Sequence, residues 1–191
     1  MALFDSILTD IYTLTNRPNL MAESKLGIRV ATTKLHGLEF WREDRIEEEL
    51  AVTPVDSTFS VDLATSLLYK PRHLDYIKKV GSDVYFEEIT PRQLLDSYGY
   101  RRFNTFYRAG NNLHFLTDTS DTSILLSYYR QPVPTEASYS SWIAETYPIF
   151  IAIEAAIFVF SSIGDKEQEK RMQDMANINL ATLQINHLDP T

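Results

Sequence analysis

The apolar residues of this chain keep one spacing at both ends and another in the middle, and this change of period limits the fold more than any other feature. Leu3, Ile7, Ile11 and Leu14 recur at steps of three and four, which places them on one helical face. Pro18 lacks an N–H and disfavours helix in Arg17, so the segment ends at Asn16-Arg17-Pro18-Asn19. A second helix is expected over residues 20–38. Asn19 is its expected cap, and Ala22, Leu26, Val30, Thr33 or Lys34, and Gly37 its expected inner face. Beyond the aromatic and charged exit Phe40-Trp41-Arg42-Glu43-Asp44-Arg45, residues 46–52 read as a strand that stops at Thr53-Pro54.

Between residues 54 and 134 the period is two. Phe59, Val61 and Leu63 alternate with Ser60 and Asp62, and Leu74, Tyr76 and Lys78 with Asp75 and Ile77. Residues 84–86 read as a short strand. Thr90 caps a short helix, with Pro91 in its first position, that ends near Gly99. Strands over 103–108 and 113–117 flank Ala109-Gly110-Asn111-Asn112, a hairpin turn that calls for positive φ at Gly110 and Asn111. A last strand over 124–130 closes at Pro132 and Pro134. The helical period then returns over 142–163. Gly164 stops that helix, and Asp165 with Gln168 starts another over 166–186, with Met172, Met175, Asn179 and Leu183 on one stripe.

Two helices at each end cannot bury their stripes alone, so all four are expected in one bundle. The expected class is α+β: a discontinuous helical bundle from residues 1–53 and 139–191, with a β-rich insertion over 54–138. The run 149–160 is too short to cross about 30 Å of hydrocarbon and contains Glu154, so it reads as a central bundle helix. Glu154 is then a half-buried carboxylate, expected to pair with a cation on a neighbouring helix, such as Arg29 or Lys34, rather than to act as a catalytic acid. The N-terminus carries Asp5 and no basic leader, unlike a signal peptide.

The residue inventory excludes more chemistry than it suggests. No cysteine is present, which removes disulfides, thiolate catalysis and Cys-ligated zinc. The six glycines lie at least ten residues apart, so the phosphate loop, the dinucleotide fingerprint and the nucleophile elbow are all missing. His36 and Glu39 share a helical spacing, but one pair makes no metal site, and neither metal nor cofactor is expected. Serines are plentiful, yet no strained turn exposes one for Ser-His-Asp catalysis. A net charge of −8 argues against a general nucleic-acid binder. Residues 66–110 carry eight basic side chains against five acidic ones, a net of +3 that leaves −11 for the rest. This contrast suggests complementary surfaces on one subunit. The 23 aromatic residues fit either interface cores or a small β core.

Several pieces in this order resemble the head–tail adaptor (connector) proteins of short-tailed bacteriophages. They are Phe40-Trp41-Arg42-Glu43-Asp44, Phe106-Tyr107-Arg108-Ala109-Gly110-Asn111-Asn112-Leu113, Ser127-Tyr128-Tyr129-Arg130-Gln131-Pro132, Tyr139-Ser140-Ser141-Trp142-Ile143-Ala144 and Gly164-Asp165. The resemblance implies a virion protein without catalysis, assembled in the bacterial host cytoplasm. It would form a homo-oligomeric ring, typically a dodecamer, below the portal protein at the head–tail junction. The ring would extend the DNA channel through which DNA passes non-specifically, and offer a platform for tail nozzle, tail-tube and tail-fibre proteins, with no membrane partner. Arg101, Arg102, Arg108, Tyr128, Tyr129 and Trp142 become interface candidates. So do His187 and Leu188 in the short C-terminal tail, where the family often reaches toward the portal. The alternatives are another neck or tail-tube protein such as a tail terminator, or a phage-encoded DNA-binding accessory factor or small enzyme.

Overall fold

A computed structural model describes residues 3–95, 99–117 and 123–188. The fold is α+β, with helices from both chain ends flanking a strand-rich middle. The chain divides into two compact units, residues 1–44 with 132–191, and residues 45–131. The expected boundaries at 53/54 and 138/139 therefore move. Residues 45–51 form a strand paired within the middle sheet, and 132–138 go with the helices.

The helical unit is built round its most apolar member. Helix α1 spans Leu3–Thr15 and α2 spans Met21–Leu38. The single helix expected over 142–163 is two, because Pro148 has no N–H to continue a helix and instead suits a first position. Helix α4 spans Trp142–Thr146, Tyr147 leaves helical geometry, and α5 runs over Pro148–Ile163. (A one-turn helix, α3, Leu63–Ser66, belongs to the other unit.) Gly164 at φ +75° closes α5. Its N–H and that of Asp165 reach back to Ser161 O and Phe160 O, the paired bonds of a left-handed helix stop. Helix α6, Lys166–His187, begins at Asp165, whose side chain accepts from Gln168 N–H.

Ile151, Ala152, Ala155 and Val159 of α5 are buried with Phe4, Ile7 and Ile11 of α1 and Ile28, Ala31 and Leu35 of α2. Ile153, Ala156 and Phe160 meet Met172 and Ala176 of α6 on another side. The expected inner stripe of α6 thus holds at Met172 and Leu183, but Met175 is exposed and Ala176 takes its place. The inner face of α2 differs more. Ser24, Gly27, Ile28, Ala31, Thr32 and Leu35 are buried, while Leu26 and Val30 face solvent. The small residues decide this. A Cβ on Gly27 would stand 3.0 Å from Ala155 O, tighter than nearly all such contacts, so glycine there eases the close approach of α2 and α5.

The middle unit holds two sheets. Strands β1 (Arg45–Ala51), β7 (Ser123–Arg130) and β3 (Pro71–Lys79) form one, in the order β1-β7-β3 and all antiparallel. Strands β2 (Thr58–Asp62), β6 (Asn112–Leu116), β5 (Thr105–Ala109) and β4 (Glu87–Glu88) form the other in that order, with β4 parallel to β5. The short strand expected at 84–86 falls slightly later, leaving Tyr85 with a lone bridge to Lys78. The helix expected from Thr90 is a three-residue turn, Pro91–Gln93, closed by a reciprocal Thr90–Gln93 cap. Part of its expected extent toward Gly99 lies outside the described residues.

Val61, Phe106, Leu113 and Phe115 meet Ile77, Ile124, Leu126 and Tyr128 in one core, where Phe59 stacks on Phe115 with ring centroids 4.5 Å apart. The β5–β6 turn has Gly110 at φ +64°, whereas Asn111 stays at negative φ. Glycine at the first central position alone marks the turn class with a single left-handed residue. Asp56 and Ser57, at φ 51° and 64°, make the double left-handed turn between Val55 and Thr58, without glycine to announce it.

Candidate functional site

The densest polar chemistry lies in the helical unit, where the chain leaves α2. Trp41 is fully buried, and its indole N–H donates to Leu35 O at 2.8 Å. That contact turns the chain into a single 3₁₀ turn, Arg42–Asp44, which sends two neighbouring carboxylates to two different histidines.

Asp44 Oδ2 lies 2.7 Å from His36 Nδ1, and His36 Nε2 lies 2.9 Å from Ser141 Oγ, with all three residues buried. Ser141 Oγ also accepts from Ala144 N–H at 3.1 Å, which caps α4. The hydrogens follow from the partners. A carboxylate only accepts, so Nδ1 carries the imidazole proton. In the neutral imidazole Nε2 accepts the serine hydroxyl and the serine oxygen keeps a lone pair for the helix; in the protonated ring Nε2 donates to the serine oxygen instead.

Glu43 serves the second chain. Its Oε1 lies 2.6 Å from His187 Nδ1, and His187 Nε2 lies 2.9 Å from the Tyr147 hydroxyl. The Trp142 ring stands between the two imidazoles, with centroids 6.0 Å from His36 and 5.0 Å from His187. Around it the end of α6 is fastened to the exit of α2. Arg42 donates to Asn186 O, Gln184 to Glu39 at 2.9 Å, and Leu188 bridges to Trp41.

Carboxylate, imidazole and hydroxyl in this order match a nucleophilic relay. A nucleophile must also be reached, and Ser141 is only 2% exposed, with its hydrogen and a lone pair both engaged. The arrangement is built to hold three chain segments together. Sequence reasoning missed it because Asp44, His36 and Ser141 are up to 105 residues apart and share no motif. The one available signal was the Glu43-Asp44 pair after a helix that ends near a histidine.

The residues singled out from sequence scatter. Glu154 does pair with Lys34, at 2.7 Å. His36 and Glu39 turn to different partners, and no group of three or more metal-binding side chains gathers among the described residues. Arg102 pairs with Glu87 at 3.1 Å, Arg101 reaches only Asp56 O at 3.5 Å, and Arg108 donates to Gly110 O. Tyr128, Tyr129 and Trp142 are interior residues, so as surface contacts they are corrected. The two tyrosines sit on the central strand β7, and Trp142 sits in the bundle core. Tyr128 donates to Glu48 and accepts from Tyr69 N–H, and burial first, then Glu48, raises its pKa. His187 is half-buried in its relay, while Leu188 is exposed.

The charge contrast also shrinks once the units are known. The helical unit carries fourteen acidic and eight basic residues, −6, and the middle unit twelve and ten, −2. The positive window 66–110 omitted Glu47, Glu48 and Glu49 of β1, which belong to the same sheet as Asp75 and Tyr76. Arg45 pairs with Asp75, and Tyr76 donates to Glu47.

Two helix faces of the bundle stay open. Met21, Leu26 and Val30 of α2 are exposed, and Arg29, Val30, Thr33 and Lys34 line a shallow depression there. On α6, residues 175–187 include no Asp, Glu, Lys or Arg, and Ile178 and Ile185 are 70% and 82% exposed. No helix among the described residues is long and apolar enough to cross a membrane. No protein-family model matches the chain, and no curated protein matches it.

Proposed function

We propose that the chain is a structural assembly protein of the head–tail adaptor type, a ring that seats below a portal at the head–tail junction of a short-tailed bacteriophage. Such a ring would extend the DNA channel and present a platform for tail components. The observation that carries this reading is the pair of open apolar faces on α2 and α6 of one bundle. Large apolar side chains exposed together on one helix face fit a surface that another protein covers. The resemblance of the ordered sequence pieces to the adaptors supports this kind of assembly. Net negative charge in both units, −6 and −2, suits a wall along which phosphate slides without sticking. The relay at Ser141 favours a hydrolase on bond order alone, and its burial counts against that.

The test is the mass of the purified protein, alone and mixed with portal protein and imaged, beside a duplex-DNA binding assay at low salt. A discrete ring that docks on portal is expected. A tube that stacks without portal supports a tail-tube or terminator protein. A persistent monomer that ignores portal and binds duplex tightly would overturn the adaptor in favour of a DNA-binding accessory factor.

A further inference from the structure

We propose that the middle unit holds an acidic segment of a partner protein in the cleft between α3 and the β5–β6 turn. An aliphatic side chain of that segment enters the cleft, and a carboxylate beside it meets Lys70 and Arg108. The site lies wholly within residues 63–111 and does not depend on whether the chain forms a ring.

The cleft encloses about 270 Å³. Leu63, Leu67, Leu68 and Pro71 give it an aliphatic lining, and Leu68 is 75% exposed. Its walls are held by backbone bonds. Leu63 N–H donates to Asn111 O at 2.9 Å, which ties α3 to the hairpin turn. Tyr69 N–H donates to the Tyr128 hydroxyl, and Gln131 N–H to Lys70 O at 2.8 Å, which tie the opposite wall to β7. A cleft with fixed walls binds without first ordering its own chain.

Each wall carries one exposed cation, Lys70 beside β3 and Arg108 at the end of β5. Arg108 donates to Gly110 O, and among the described residues neither cation meets a carboxylate. No acidic residue lines the cleft. The two carboxylates bound to this segment serve the chain's own donors. Asp62 accepts from Ala64 N–H at 2.9 Å, and Glu48 accepts from Leu68 N–H and the Tyr128 hydroxyl. An aliphatic hollow flanked by two cations is complementary to an apolar side chain with an anion next to it.

Protein fits this better than nucleic acid. The one aromatic ring in the lining is Tyr69, and the Arg130 guanidinium already stands over it, 5.3 Å from the centroid. Base stacking needs an open ring face. The unit's net charge of −2 also disfavours a polyanion, whereas a single carboxylate needs only the two local cations. Small-molecule sites usually enclose about 300–1,000 Å³, and this smaller cleft suits a side-chain anchor.

The chain has no cysteine, so a thiol placed at the rim by Asn111→Cys is the one reactive sulfur. The probe is the peptide Ser-Asp-Leu-Glu-Ser carrying a cysteamine disulfide at its C-terminus. It is equilibrated with the Asn111→Cys chain in 2-mercaptoethanol, and the conjugated fraction is read by intact mass. The expected fraction is several-fold higher than for Ser-Asn-Leu-Gln-Ser or Ser-Asp-Ser-Glu-Ser on the same tether. Adding Lys70→Gln should abolish the preference for the acidic peptide at an unchanged urea midpoint, and Lys70→Arg should keep it. Equal conjugation of all three peptides overturns the site. So does a preference that survives Lys70→Gln and Arg108→Gln together, or a tethered thymidine dinucleotide that conjugates better than the acidic peptide. Intact mass reads a monomer and a ring alike, so each of these failures leaves the adaptor reading standing.

Discussion

Asp44 and Glu43 are consecutive, yet each orients a different imidazole, and this division is the finest feature of the molecule. Removing one partner from a buried hydrogen-bonded chain leaves the others desolvated and unpaired, at a cost of about 1–3 kcal/mol. Asp44→Ala and Ser141→Ala should each lower the unfolding free energy by that order, read as a drop in the urea midpoint. Because both act through His36, their effects should sum to more than the double variant loses. Strict additivity in a double-mutant cycle would rule the relay out as a unit. Tyr139 gives a second test. Its hydroxyl lies 2.7 Å from Thr32 Oγ1, and burial pushes its pKa up to about 12, from 10.0 when unfolded. Below pH 10 both states hold the proton, and stability does not depend on this group. From pH 10 toward 12 the unfolded chain releases the proton while the native one keeps it, so stability falls. Tyr139→Phe should flatten part of that fall in denaturation midpoints taken across this range. An unchanged slope would remove Tyr139 from its causes.

At the scale of elements, glycine in one helix does two opposite things. Gly27 sits where a Cβ would press on Ala155 O at 3.0 Å, in the middle of a rigid helix, whereas Gly37 has nothing within 4 Å. Gly→Ala gains up to about 1 kcal/mol of helix propensity at either site. At Gly27 the clash should outweigh it, since forced overpacking costs roughly 1–3 kcal/mol. Gly27→Ala should therefore destabilise and Gly37→Ala stabilise, as read by thermal or urea unfolding. Movement in the same direction would contradict the close approach of α2 and α5. The same helix explains where the sequence was readable. Periods of two and of three-to-four placed nearly every strand and helix. Helix α2 carries two stripes, though, and the bulkier one, Leu26 with Val30, looks more like a core than the small one that packs. Close packing of small residues leaves little hydrophobic signal, and only the partner helix reveals it. The break at Pro148 was legible from the proline alone. The Asp56-Ser57 turn was not, because neither residue announces positive φ. The candidate site was the least legible part, being made by residues brought together only after the bundle forms.

At the scale of the whole molecule, both units are negative, so a channel wall made from either would repel phosphate, and the chain should not retain duplex DNA even in dilute salt. A gel-shift titration at low ionic strength checks this, and tight, salt-sensitive binding would count against any role as a DNA conduit. One further property follows from the pairing of β1 with β7. The first residue of the middle unit, Arg45, stands opposite Tyr129, so the chain enters and leaves that unit at neighbouring points of one sheet. A segment whose two ends lie side by side is spliced into the helical chain as a single graft, and surface grafts of this kind are the ones domains tolerate. Across related genomes, recombination at these two junctions would exchange the whole middle segment in one event. The helices, and whatever they assemble into, would then be inherited separately from the part that varies.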